Sequence, residues 1–208
     1  MINEQDVWEL LKRAGAILNG HFVYVSGKHG LEYINKYALY ARVPATALLC
    51  LQIANQFAND EVDVVAGPAM GGVILSQWTA YYLARICDRE VRAVFADKAG
   101  DDFVFGRGYD EFIPGKNVLV VQDVLTTGGD AKKTIEAVRD LGGNVVGLGA
   151  LCNRGGVLSA DVANPQKFAV LTAANMVSYD EKECPLCVQG VPINTDVGHG
   201  REFLARRE

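Results

Sequence analysis

The chain has 208 residues, half of them hydrophobic and 22% charged, with a formal charge of −5. That suits one ordinary folded domain with its own core and excludes a disordered or fibrous chain. The acidic balance also argues against general nucleic-acid binding, which needs a surplus of Lys and Arg on one face. No apolar run reaches the roughly 20 residues of a membrane span, and MINEQDVWELLKR has the pattern of an acidic amphipathic helix rather than a signal peptide, so a cytoplasmic protein is expected.

In chain order, Val7, Leu10, Leu11, Ala14, Ile17 and Leu18 fall on one helical face. Two short β-like runs follow, FVYV (22–25) and EYIN (32–35), separated by the glycine-punctuated turn SGKHG. Pro44 suits the first turn of a second helix carrying Leu48, Leu49, Ile53 and Phe57. VDVVAG (62–67) then reads as a buried strand ending in GPAMGG and leading to the helical VILSQWTAYYLARI. VRAVFA (91–96), VLVV (118–121), a helix to Leu141 and NVVGLGALCN (144–153) continue the alternation. Continuous apolar strands alternating with helices predict an α/β fold, a parallel sheet covered on both faces. Trp8 and Trp78 sit on helical patterns and read as packing residues.

Between Asp97 and Lys116 the spacing loses its period and four glycines appear. A loop of this length reads either as a lid over a binding site or as a surface hairpin built on FVF.

The chemistry concentrates in VLVVQDVLTTGGD, residues 118 to 130. In an open parallel sheet, ligands bind beyond the carboxyl ends of the strands, where Asp123 to Asp130 would lie. Thr126, Thr127, Gly128 and Gly129 can turn several backbone N–H groups toward one point at a helix start, which makes an anion cradle. A nucleotide-triphosphate loop is excluded because Gly27-Lys28 and Gly115-Lys116 are followed by His29 and Asn117 rather than Ser or Thr. A dinucleotide fingerprint is excluded as well, since no strand is followed by G-x-G-x-x-G. What remains is a small phosphate cradle preceded by an acid, Asp123, placed to accept hydrogen bonds from sugar hydroxyls. The plainer alternative is a helix start capped by Thr126, Thr127 or Asp130.

This combination resembles the phosphoribosyl-pyrophosphate motif of the type I phosphoribosyltransferases. The likeness extends to GHFVYVSGKHGLEYINK, GPAMGGVILSQ, NRGG (153–156) and the tail YDEKECPLCVQGVPI, a set similar to the branch of the family that works on orotate. The resemblance implies a type I phosphoribosyltransferase fold over residues 1–208 as a single domain. Its central, mostly parallel sheet would be flanked by helices, residues 1–40 and the C-terminal tail would form a small hood, and 97–116 would be a long flexible lid. It implies transfer of phosphoribose from phosphoribosyl pyrophosphate to orotate, with Mg²⁺ held mainly by the substrate. A homodimer with shared active sites is implied too. A purine or other base as acceptor, or a non-catalytic phosphoribosyl-pyrophosphate sensor, are the alternative readings; the absence of a basic face disfavours the sensor.

By the same resemblance Asp123 would bind ribose, and Val124, Leu125, Thr126, Thr127, Gly128, Gly129 and Asp130 would wrap the 5′-phosphate, with Thr126 also near the base. Lys98 would stand beside the departing pyrophosphate and Arg107 would be the lid's cation; a solvated Asp97–Lys98 pair is the alternative. Arg154 would grip the orotate carboxylate with its planar fork, or else be a solvated loop arginine. Lys28 is placed for phosphate, and Tyr33 either stacks on the base or fills the core. Several positions depart from the family pattern: Gln122 where an acid is usual, Gly71 and Val25 where lysine is common, and Asp101, Asp102 and Phe103 in a lid that is often basic.

Cys50, Cys87 and Cys152 sit in apolar stretches and read as small buried hydrophobes. Cys184-Pro-Leu-Cys187 is a single C-x-x-C, compatible with zinc only if the tail folds back to bring His199 or if two chains share the ion; an inert pair of thiols is the simpler reading. His21 and His29 flank a turn and read as hydrogen-bonding caps.

Overall fold

The computed structural model describes residues 2–174 and 176–206. In chain order its elements are α1 (Glu4–Arg13), β1 (Ile17–Val23), β2 (His29–Ile34), α2 (Lys36–Tyr40), α3 (Val43–Gln56), β3 (Val64–Pro68), α4 (Gly71–Cys87), β4 (Arg92–Ala99) and β5 (Asp102–Val104). They continue with β6 (Asn117–Leu125), α5 (Gly129–Asp140), β7 (Asn144–Asn153), β8 (Phe168–Ala173), β9 (Ser178–Tyr179), α6 (Pro185–Val188) and α7 (Gly200–Ala205). Two compact units result: Met1–Trp8 with Val43–Ala174, and Glu9–Arg42 with Asn175–Glu208. Among the described residues no helix is long and apolar enough to cross a membrane.

The first unit is built on a six-stranded sheet in the order β5-β4-β3-β6-β7-β8. β3, β4, β6, β7 and β8 run parallel, and only β5 is antiparallel to its neighbour β4. The uninterrupted burial of β3, and of β6 from Val118 to Asp123, explains why these strands read as continuous apolar runs: both faces are covered. One face packs into a core of Val64, Ala66, Val94, Val118, Val120, Leu148 and the helical Ile135 and Val138. β8 escapes the sequence pattern because its first three residues are only half-buried, as expected of a strand at the sheet edge.

The second unit carries the small sheet β1-β2-β9. Here one expectation is corrected: Ile17 and Leu18 begin a strand rather than extending the first helix. The cause is local. Gly15 takes φ +72°, and the Ala16 N–H donates to the Leu11 carbonyl, a left-handed closure that ends α1 before the apolar face does. The tail is tied to this hairpin by β9, which pairs Tyr179 with His29, and by the Asn194 and His199 N–H groups, which donate to the carbonyls of His21 and Val23.

Candidate active site

Sheet order decides where a ligand can sit. From β3 the chain steps to β4 on one side, whereas β6 flanks β3 on the other and leads outward to β7 and β8. The order therefore reverses between β3 and β6, and the crevice beyond their carboxyl ends is the expected ligand site of an open α/β sheet. The loops GPAMGG and Asp123–Asp130 leave these two strands. After β3 the backbone turns so tightly that a Cβ on Gly72 would come within 2.3 Å of the Gly67 carbonyl carbon. Only glycine allows helix α4 to start this close to the strand.

Near the carboxyl end of β6, Asp123 is 3% exposed, although its side chain is ionisable. Its Oδ1 accepts the Val124 N–H at 2.6 Å and the Gln122 side-chain amide at 3.2 Å. Gln122 thus supplies a donor where a second carboxylate would repel; its own Oε1 is buried and has no hydrogen-bond partner among the described residues. α5 starts at an N-cap glycine, Gly128, at φ +80°, which has no side-chain cap to offer. The Thr127 hydroxyl accepts the N–H of Gly129, the first residue of α5, at 3.3 Å. Among the described residues, no protein acceptor takes the N–H groups of Thr126, Thr127 or Gly128. Such donors at the positive end of a helix suit a phosphate.

A second segment is fastened to this loop. The N–H groups of Arg154 and Gly155 both donate to the Leu125 carbonyl, at 2.9 and 3.1 Å, and a Cβ on Gly155 would lie 1.5 Å from the Thr126 oxygen. Asn153 braces the turn: its amide donates to the Val157 carbonyl at 2.8 Å and its oxygen accepts the Val157 N–H at 3.0 Å. Arg154 is half-buried and electrostatically close enough to favour the thiolate of Cys152, although burial dominates there and pushes that thiol up to about 12. Sequence reasoning singled out Arg154 but not Asn153 or Gly155, whose signal is the Asn-x-Gly-Gly turn after a strand.

Within the segment from Asp97 to Lys116, β5 pairs back on β4, Lys98 lies opposite Phe103, and Phe103 and Phe105 are buried in the core. Lys98 is exposed and, among the described residues, has no ion-pair or hydrogen-bond partner. Arg107 pairs with Asp97 at 3.1 Å, which makes Asp97 and Arg107, rather than Asp97 and Lys98, the local ion pair. The acidic tip is held by Lys133 on α5, 3.8 Å from Asp102 and bonded to the Asp101 carbonyl.

In the second unit, Lys28 is half-exposed and 3.7 Å from Asp180, and the Tyr33 ring packs on Phe22 at 5.4 Å between centroids. Cys184 and Cys187 meet His21 and His29, not His199. His21 Nδ1 also lies 2.8 Å from the Val191 carbonyl.

Residues 37–169 match the family model described as the phosphoribosyl transferase domain. The chain is 38% identical to the orotate phosphoribosyltransferase of Pelotomaculum thermopropionicum over 192 residues, 92% of this chain and 95% of that protein. The same name, identity and coverage hold for the relative from Desulforamulus reducens. Among solved structures, Mycobacterium tuberculosis orotate phosphoribosyltransferase in complex with inorganic phosphate superposes with a TM-score of 0.66 at 23% identity, over 82% of this chain and 95% of that one, and supports the fold. The chain belongs to the phosphoribosyltransferase family, and its fold is the type I fold. Within that family its full-length relatives place it among the orotate phosphoribosyltransferases.

Proposed function

We infer that this chain transfers the ribose 5-phosphate group of 5-phosphoribosyl 1-pyrophosphate to orotate, giving orotidine 5′-monophosphate and diphosphate. The observation that carries the reading is the buried Asp123 carboxylate before a loop in which, among the described residues, no protein acceptor takes the N–H groups of Thr126, Thr127 and Gly128, with Arg154 fastened to the same loop through Gly155. The N–H groups of Thr126, Thr127 and Gly128, with Val124, Leu125, Gly129 and Asp130 shaping the turn, would hold the 5′-phosphate. Asp123 would accept the ribose hydroxyls beside it. Arg154 would take the orotate carboxylate bidentately, a geometry that lysine does not offer.

In the reaction, the bond from the anomeric carbon to diphosphate breaks and a bond from the orotate ring nitrogen forms on the opposite face, the N–H proton of that nitrogen passing to solvent. Charge leaves with the diphosphate, so a fixed cation there lowers the barrier. Lys98, without a competing carboxylate, suits that place better than Arg107, which would first have to leave Asp97. The side chains at the loop, Asp123, Thr126, Thr127 and Asp130, are hard oxygen donors, which fits Mg²⁺. The ion would be held chiefly by diphosphate oxygens and would supply positive charge to the leaving group. A lid role for residues 97–116, contacts of Lys28 with phosphate and of Tyr33 with the base, a homodimer with shared sites and a cytoplasmic location belong to the same proposal.

The test is to incubate the purified chain with phosphoribosyl pyrophosphate, Mg²⁺ and orotate and to follow orotate loss. Turnover is expected. Turnover with a purine and none with orotate would overturn the acceptor, and tight binding of phosphoribosyl pyrophosphate without any turnover would overturn the enzyme.

A further inference from the structure

The second unit holds a cluster that phosphoribosyl transfer does not use. His21 on β1, His29 at the start of β2, Cys184, and Cys187 on α6 each direct one ligand atom inward, and the four atoms lie within 4.8 Å of one another. His21 Nε2 is 2.9 Å from His29 Nδ1 and 3.6 Å from the sulfurs of both Cys184 and Cys187, and His29 Nδ1 is 3.3 Å from the Cys187 sulfur. A tetrahedral zinc ion, with Zn–N of about 2.0–2.1 Å and Zn–S of about 2.3 Å, gives edges of about 3.3 Å between nitrogens and about 3.6 Å from nitrogen to sulfur. The 3.6 Å contacts of His21 with both sulfurs match those edges, and the 2.9 Å between nitrogens and 3.3 Å from His29 to the Cys187 sulfur are slightly shorter.

Its surroundings suit a structural ion. His21, His29 and Cys184 are buried, which closes the site to substrate. His21 Nδ1 lies 2.8 Å from the Val191 carbonyl; as donor there, it leaves Nε2 with a lone pair for a metal, the usual outer-shell arrangement of a ligating histidine. Phe203 packs edge-on against His29, 4.9 Å between centroids, and fixes that ring. A hydrogen bond between the two imidazoles would account for one of these approaches but not for two sulfurs converging on His21 Nε2. Two thiolates and two imidazoles in a closed tetrahedron select Zn²⁺.

We propose that His21, His29, Cys184 and Cys187 bind one structural Zn²⁺ ion within a single chain, clamping the C-terminal tail to the β1–β2 hairpin. The ion joins stretches more than 150 residues apart, since His29 and Cys187 are separated by 158 positions. In a small unit made of two distant chain segments, such a bond adds to what buried side chains such as Leu11, Phe22 and Leu39 supply. Binding releases protons from thiols and involves no change of oxidation state.

The decisive measurement is Co²⁺ titration of the unmutated full-length chain after dialysis against chelator. The thiolate-to-cobalt charge-transfer band and the strong visible bands of tetrahedral Co²⁺ should saturate at about one ion per chain and bleach when Zn²⁺ is added. Protein purified without chelator or metal-affinity resin should contain about one zinc per chain by mass spectrometry. Cys184→Ser and Cys187→Ser should each lose the charge-transfer intensity, whereas Cys87→Ser, outside the cluster, should keep it. Absence of the thiolate band in the unmutated chain would overturn the proposal whether or not the variants fold, as would isolation of Cys184 and Cys187 as a disulfide. Because the readout is a metal spectrum, this result is independent of the orotate assay.

Discussion

The loop after β6 and the cluster beneath the tail solve the same problem, bringing polar atoms to one point, in opposite ways. The loop does it with consecutive residues: from Asp123 to Asp130 every contributor is a neighbour in sequence, and its donors are backbone N–H groups left over where a strand becomes a helix. The cluster does it with four side chains drawn from the hairpin and the tail. The difference teaches where each kind of site is vulnerable. A contiguous backbone site survives loss of one side chain's function with its shape intact, whereas an assembled side-chain site holds its own unit together.

The sharpest test of that contrast is Asp123→Asn. The amide keeps the volume of the buried side chain but loses the charge that ribose hydroxyls and the developing cation require, so kcat/KM should fall by about 10²–10³-fold while the thermal midpoint moves little. A large drop in stability would show that Asp123 holds the fold and would break the comparison. Gly155→Ala comes next, since its Cβ would overlap the Thr126 oxygen at 1.5 Å. Forced apart, the two segments should cost about 1–3 kcal/mol in denaturant unfolding. The KM for phosphoribosyl pyrophosphate should rise with it, because the cradle's N–H groups turn away. Arg154→Lys should act on one substrate alone: loss of a bidentate charged contact should raise the KM for orotate by about tenfold and leave that for phosphoribosyl pyrophosphate unchanged. Equal effects on both substrates would mean that Arg154 supports the loop rather than the base.

The same contrast governs what could be read from sequence. The strand, the acid and the small turn are adjacent letters, and burial of β6 on both faces writes itself as an apolar run, so the candidate loop and the α/β class were legible. Arg154 was visible but its attachment was not, because the bonds to the Leu125 carbonyl come from backbone groups that carry no side-chain signature. Gln122 stood out as a departure, yet its role as amide donor to Asp123 depends on rotamers packed inside the sheet. Asp101 and Asp102 looked like missing cations in a lid, and Lys133, which answers them, lies on the next helix. In the hairpin and tail, a lone C-x-x-C pointed to His199, the nearest histidine in sequence. Strand pairing of β2 with β9 and the Asn194 bond to His21 instead bring the tail onto the two hairpin histidines, a long-range register that local spacing does not encode.

The smallest expected effect uses the remaining thiols to compare the two units directly. Cys50 and Cys152 lie in the first unit with no access to solvent, and burial pushes both thiols up to about 12 from an ordinary 9.0. Near pH 8 they are protonated and out of reach, so alkylating reagent should leave them unmodified with or without chelator. Cys187, which is partly exposed, should be protected while metal is bound and modified once chelator removes it, as peptide mass mapping would show. The raised values also fix a sign. Between pH 9 and about 12 the unfolded chain loses thiol protons that the folded chain keeps, so the unfolded state gains favourable ionisation and stability falls as pH rises through that window. Urea midpoints measured from pH 8 to 11 should decline, and replacing Cys50 by the similarly small, non-titrating Ala should flatten part of the decline. An unchanged slope would mean that these thiols ionise in the folded state, which a sealed first-unit core does not permit.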